Sequence, residues 1–131
     1  MGSFSNHWED EVLDHLFGKG TYNPPTVHVA LSTSDPGDDG AGLSEPAGNG
    51  YARVQTTPTD WTAADGGLIE NATAITFGPA TGNWGTVTHF ALFDAPSGGH
   101  LLAHGVLTQA RAIAAGQSPE IAPGELDVRL S

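Results

Sequence analysis

Six histidines and fifteen acidic residues are the groups in this chain whose types and spacing could do chemistry. His100 and His104 stand four apart in a predicted strand, so they share a face but sit roughly 13 Å apart along it. Two ligands of one ion cannot span that distance without a bulge. His89 can approach one of them across a hairpin, yet no carboxylate is placed by the sequence to complete a zinc site. The expectation is surface or half-buried strand histidines, with no metal and no cofactor. The acids cluster in a long glycine-rich stretch as Asp35, Asp38, Asp39 and Glu45. Asp35-Pro36-Gly37-Asp38-Asp39-Gly40 has a loose likeness to a calcium loop. An EF-hand needs an oxygen side chain where this chain has Gly37, and a helix on each side. These four acids therefore form a candidate loop cation site, against the plainer reading of a solvated turn cluster.

No catalytic residue set emerges. The serines lack the G-x-S-x-G pattern of a nucleophile elbow. No pair of carboxylates is placed in an apolar cleft that would separate their pKa values. The glycine-rich segments do not lie between a strand and a helix as a phosphate loop requires. With no cysteine, disulfides and thiolate metal sites are excluded. Asn71-Ala72-Thr73 is a glycosylation sequon. Trp61 and Trp84, both on predicted loops, are candidate glycan contacts, because exposed aromatic faces stack on sugars; the alternative is that both rings anchor loops against the sheet edge.

These side chains need a scaffold, and the pattern predicts an all-β one. The organising stretch is 26–54. Val27, Val29 and Leu31 point one way from a strand over Thr26–Ser32, with His28, Ala30 and Ser32 pointing the other. The loop that follows is almost free of apolar side chains, and Pro36 and Pro46 stop strand continuation. A loop this long is expected either to be disordered or to have a surface job, and charge-to-alanine changes in it are expected to leave folding intact. Tyr22–Pro25 reads as a connector. Further strands are predicted at Tyr51–Thr57, Leu68–Glu70, Ala72–Phe77, Thr86–Asp94, His100–Thr108, Pro119–Ala122 and Glu125–Leu130. Ser97-Gly98-Gly99 turns the hairpin between the fourth and fifth of these. Residues 109–115, rich in alanine, fit either a strand or a turn of helix. The expected fold is one single-domain antiparallel β-sandwich over 1–131, of jelly-roll or Greek-key-like order.

One helix is predicted, Ser5–Phe17, capped by Ser5 or Ser3 and stopped by Gly18. Trp8, Val12, Leu13, Leu16 and Phe17 make one apolar stripe on it. The stripe needs a partner, either the sheet of its own subunit or a neighbouring subunit. Composition limits the partners further. Fifteen acids against four bases give a net charge of −11. Lys19, Arg53, Arg111 and Arg129 are scattered, so direct nucleic-acid binding is not expected. No apolar run approaches the roughly 20 residues of a bilayer span, and no signal peptide is evident. The acidity has two readings, a repulsive soluble surface or adaptation to high salt.

Four stretches resemble a family of small structural proteins of tailed viruses, labelled tail-fibre or minor capsid proteins. They are the helix Trp8–Gly18, the run LSTSDP with its acidic loop and EPAGNGYAR, the segment Trp84–Asp94, and the closing Gly124–Leu130. The resemblance implies a non-catalytic virion component of a phage or haloarchaeal virus. The placement expected first is the capsid exterior, as a decoration, turret or head-spike-base subunit. Tail fibre or baseplate-peripheral subunit is the alternative, and a carbohydrate-binding adhesion module the rival from another class. The partners expected are copies of itself, trimer to hexamer, and other virion proteins such as the major capsid protein or a spike or fibre protein. Trp8, Val12, Leu13, Leu16, Phe17 and Tyr51 are the expected subunit-interface residues.

Overall fold

The computed structural model describes residues 2–21 and 23–129. The parts of the expected connector and closing strand that fall on Tyr22 and Leu130 lie outside the described residues. In chain order the elements are β1 (Gly2–Phe4), α1 (Asn6–Leu16), β2 (His28–Ser32), β3 (Val54–Gln55), β4 (Leu68–Glu70), β5 (Ile75–Thr76), β6 (Gly85–Phe93), β7 (Leu101–Ile113), β8 (Glu120–Ile121) and β9 (Asp127–Arg129). A 3-10 turn at Pro58–Asp60 lies between β3 and β4. The fold is all-β and sandwich-like, as the alternation of apolar residues implies.

One sheet of seven strands, in the order β3-β2-β6-β7-β1-β9-β4, makes the large layer. A two-stranded ribbon of β5 and β8 makes the second. The second layer is thinner than a full opposing sheet. Ile75 and Ile121 from the ribbon join Val29, Leu31, Val87, Phe90 and Leu102 of the large sheet in the main core. Phe77, Ala80 and Trp84, from the loops around the ribbon, complete it.

The β6–β7 hairpin is the spine. The predicted strand over His100–Thr108 runs on to Ile113, which resolves the alanine-rich segment as strand. The reason is long-range pairing: Gly85, Thr86 and Val87 pair with Ile113, Ala112 and Arg111, past a register shift between Val87 and His89. Cross-strand pairing here overrides the helix propensity of alanine. Strand β1 lies outside the strands that the sequence pattern predicts. It slots between β7, antiparallel to it, and β9, parallel to it. The strands at β2, β3, β5 and β8 are shorter than the pattern predicts, and β9 begins at Asp127 rather than Glu125.

The acidic loop forms a cover. Strand β2 is buried on both faces. Ala30, with Ala91, Phe93 and Leu101, makes a second core on the back of the sheet, and Leu43 of the loop packs on it. The loop is held by its own backbone. The Thr33 N–H donates to the Ser44 carbonyl at 2.9 Å, and the Gly42 N–H donates to the Pro36 carbonyl at 2.9 Å. Asp35 and Asp39 each accept from a backbone N–H two residues on, at 3.0 and 2.9 Å, as turn-forming aspartates do.

Gly42 is the pinch point of that cover. A Cβ there would stand 2.1 Å from the Asp35 carbonyl oxygen. Gly42→Ala should therefore force the loop backbone apart and destabilise the fold by about 1–3 kcal/mol. Gly20→Ala, at a position with open space around it, should leave the urea midpoint unchanged. Equal midpoints for the two variants would mean the loop does not cover the back core.

Candidate functional site

Helix α1 is built to present its far end. Ser5 is its N-cap: its hydroxyl oxygen accepts from the Trp8 N–H at 3.2 Å and its hydroxyl donates to the Leu101 carbonyl. The Ser5 N–H donates to the Leu102 carbonyl and the Asn6 N–H to the Asp38 carbonyl. The start of the helix is thus fastened to β7 and to the acidic loop. Trp8 packs against the main core, and Val12 is half-buried. Beyond it Leu13, Leu16 and Phe17 are 53%, 71% and 70% exposed. The stripe is used twice: its near end on its own subunit, its far end in water.

Beside the near end lies an open apolar groove of about 360 Å³. Phe4, Trp8, Val27, Trp61, Ile69 and Leu102 are among its lining residues, and none of the lining comes from β5 or β8. It sits where the thin second layer leaves the large sheet uncovered. Trp61 is half-buried, and its indole N–H donates to the Thr56 hydroxyl at 2.9 Å.

The four acids predicted as a cation site are not brought together. Asp35 and Asp39 turn their carboxylates to loop backbone. Asp38 lies 2.8 Å from His104 Nε2, and Asp35 lies 3.7 Å from the Nδ1 of the same ring. Glu45 leaves the set altogether. It accepts from Arg53 Nε and Nη2, both at 2.9 Å, and from the Tyr51 hydroxyl at 2.6 Å. Among the described residues, no three His, Cys, Asp or Glu side chains are placed to hold one ion. Burial pushes the Glu45 carboxyl up, but the Arg53 and Tyr51 hydrogen bonds and the Arg53 charge outweigh it and hold it below the ordinary glutamate range.

Arg53 is the residue that sequence reasoning missed. Its side chain is only 4% exposed. Besides Glu45 it reaches the Ala95 and Gly98 carbonyls at 3.0 and 2.8 Å, and its guanidinium lies 3.8 Å over the Phe93 ring. A fork-shaped, always-charged group can satisfy all these at once where lysine cannot. The signal available in the sequence was its isolation, as one of only four bases in so acidic a chain.

Three residues singled out from the sequence find partners within the chain. Tyr51 is a structural clamp. Its ring meets Phe77 and Trp84, and its hydroxyl accepts from the Leu31 N–H at 3.1 Å while donating to Glu45. Trp84 is 4% exposed and donates its indole N–H to the Asn49 carbonyl, so its ring is not open to a sugar. Asn71 is buried, and its amide nitrogen donates to the Thr73 and Ala122 carbonyls. Its carbonyl oxygen accepts from the Gly124 and Leu126 N–H groups. The sequon nitrogen is thus enclosed in the fold. The histidines are also placed. His100 stands 3.0 Å from Asp94, its ring stacked at 4.1 Å on His7, and His89 pairs with Thr88.

With this geometry in place, the family model described as Podophage GP4 fiber I protein gp80 matches residues 3–129. The chain belongs to this fibre-protein family. It is, with that family, a structural protein of a tailed-phage virion. No curated protein matches the chain. The matched span runs from β1 to the last residue of β9, so the helix with its exposed tip, the groove and the acidic cover all lie inside the fibre-family region.

The Arg53–Glu45 pair gives a direct test of what holds the cover. Removing one partner of a buried ion pair costs about 3–5 kcal/mol. Arg53→Met should therefore lower the urea-derived stability by about that amount, and Arg53→Met combined with Glu45→Leu should recover part of the loss. The pair also sets a pH dependence. Because the folded Glu45 carboxyl is held below its ordinary 4.5, its contribution is complete above that value and is lost as pH falls through the lower folded one. Tyr51 acts at the other end. Burial first, then its bond to Glu45, raise the phenol well above its ordinary 10.0. Its contribution is complete below pH 10 and declines as pH rises further. Stability measured against pH should show a smaller acid shoulder in Glu45→Gln, with Asp94 and Asp60 keeping the rest, and should lose its alkaline one in Tyr51→Phe.

Proposed function

We propose that this chain is a non-catalytic subunit of a fibre on the outside of the virion, assembled from several copies of itself and attached to other virion proteins. The observation that carries the reading is the fibre-family match over nearly the whole chain. That match favours the fibre placement over a capsid decoration, turret or head-spike base. The architecture supports it. The rigid two-layer scaffold has its long loop folded down as a cover, and apart from Val106 the exposed apolar surface lies chiefly at the α1 tip and the groove. Exposed apolar patches of this kind, rimmed by polar residues, mark interaction sites. Leu13, Leu16 and Phe17 are the contact residues the structure supports best, with Trp8 and Trp61 as groove walls.

The net charge of −11 acts on assembly as well as on solubility. Like-charged subunits repel, and salt screens the repulsion. The solution mass measured by light scattering should therefore rise from low to molar salt. Circular dichroism over the same range separates assembly from folding: a fold that tightens with salt supports adaptation to high salt, and an unchanged one leaves only the repulsive surface. Mass spectrometry of purified particles should find this chain in the virion, and antibody labelling should place it on an appendage. Its absence from particles would overturn the fibre reading.

A further inference from the structure

We propose that the apolar groove receives the α1 tip of a second copy of this chain, so that subunits join head to tail. This rests on the reading of the chain as a self-assembling fibre subunit and names the surfaces involved. Both halves of the contact are present on one molecule. The convex half is Leu13, Leu16 and Phe17, three large apolar side chains more than half exposed at the end of a helix none of whose residues is fully buried. The concave half is the groove between Trp8 and Trp61, floored by the large sheet.

The tip cannot fill the groove of its own subunit. Trp8 lines the groove from the first turns of α1, and Leu16 is eight residues further on, about 12 Å along the axis. The Ser5 cap fastens the near end to β7, and the far end points its apolar side chains into water. Only another copy can bring a tip to the groove.

Charge selects the same pairing. Of the four bases, Arg53 and Arg111 are committed to Glu45 and Glu125 within the subunit, and Arg129 stands on β9 opposite Leu68. Lys19 is the only lysine and lies two residues beyond Phe17, exposed at the tip. Among the described residues no ion pair involves it. On the groove side, Asp60 stands between the lining residues Pro58 and Trp61, its carboxylate held by Thr57 and Thr73. A tip that ends in a cation thus meets a groove wall that carries an anion. The remaining acids oppose the approach, which is why the contact strengthens with salt.

Because knob and groove are different surfaces, the contact is heterologous. Each copy uses both, and the chain of contacts either closes into a ring or continues as a filament. This separates it from a tip-to-tip contact about a two-fold axis, in which one surface meets itself.

The experiment uses two single variants of the full chain, with folding verified by circular dichroism. Phe17→Asp removes the knob at an exposed position. Thr62→Arg puts a charged side chain into the groove, and Pro25→Arg does the same from another lining position in case the first does not fold. Light scattering at the salt where the unaltered chain assembles should give a monomer for each variant alone. An equimolar mixture of knob and groove variants should give a one-to-one pair and nothing larger, because exactly one intact knob and one intact groove remain per pair. A groove variant that still forms the full oligomer would overturn the proposal in favour of tip-to-tip contact. A mixture that stays monomeric would overturn it as well, as would an unaltered chain that is monomeric at every salt. Finding the chain in purified particles tests the fibre reading separately, so the two can fail independently.

Discussion

Arg53 sits where three pieces of chain that are far apart in sequence must meet. It enters from the segment before β3, reaches across to Glu45 at the end of the acidic loop, and holds the Ala95 and Gly98 carbonyls of the β6–β7 turn. Below it lies Phe93, whose ring faces the guanidinium and whose other neighbours form the back core. A buried charge is tolerable only when its partners are all supplied. Here the partners come from every element that has to be in place for the cover to close. The pair therefore acts as a geometric constraint more than as a source of net stability: the loop cannot lift off without leaving an uncompensated guanidinium under it. Tyr51 extends the constraint inward, since the hydroxyl that donates to Glu45 also receives the Leu31 N–H of β2.

That constraint explains how so polar a loop can cover an apolar sheet. The loop contributes little hydrophobic surface of its own, chiefly Leu43 and the buried prolines Pro36 and Pro46. Its order comes from hydrogen bonds that its aspartates and serines make to nearby backbone, and from two charged anchors, Glu45 on Arg53 and Asp38 on His104. The acids are thus of two kinds. Asp35 and Asp39 shape turns and remain hydrated. Glu45, half-buried, and Asp38, exposed but bonded to His104, tie the loop down. The expectation that any charge in the loop can be replaced without harm therefore suits the first kind, whereas the second kind is bonded to the rest of the fold.

Local signals were legible and long-range ones were not. The helix, β4 and most of β6 lie where periodicity and turn residues put them, because each depends on residues next to it in sequence. The extension of β7 to Ile113 and the insertion of β1 between β7 and β9 depend on pairing with distant strands, and neither composition nor alternation reports that. The site followed the same division. The exposed apolar tip could be read from the stripe on α1, since Leu13, Leu16 and Phe17 are more than one short helix can bury. The groove could not, because its walls come from residues as far apart as Phe4 and Val128. Trp84 could not be decided for a related reason. The sequence leaves an exposed ring and a loop anchor both open, and only the folding back of the loop brings the ring into the core beside Tyr51.

The thin second layer links stability to assembly. A full opposing sheet would bury the whole inner face of the large sheet, and the fold would be complete as a monomer. The β5–β8 ribbon covers only part of that face, and α1 with Trp61 walls in the rest without closing it. The uncovered remainder is apolar, and apolar surface left in water is a standing drive toward association. The same chain carries a surplus of apolar side chains at the α1 tip, held away from its own groove by the Ser5 cap. The anchored cover closes the back of the sheet, and apart from Val106 the large exposed apolar side chains lie at the α1 tip. In the head-to-tail assembly proposed above, this arrangement puts the information for association into the fold itself. The charge on the remaining surface then keeps other faces of the subunits apart and steers them to the one contact where apolar surface and opposite charge coincide.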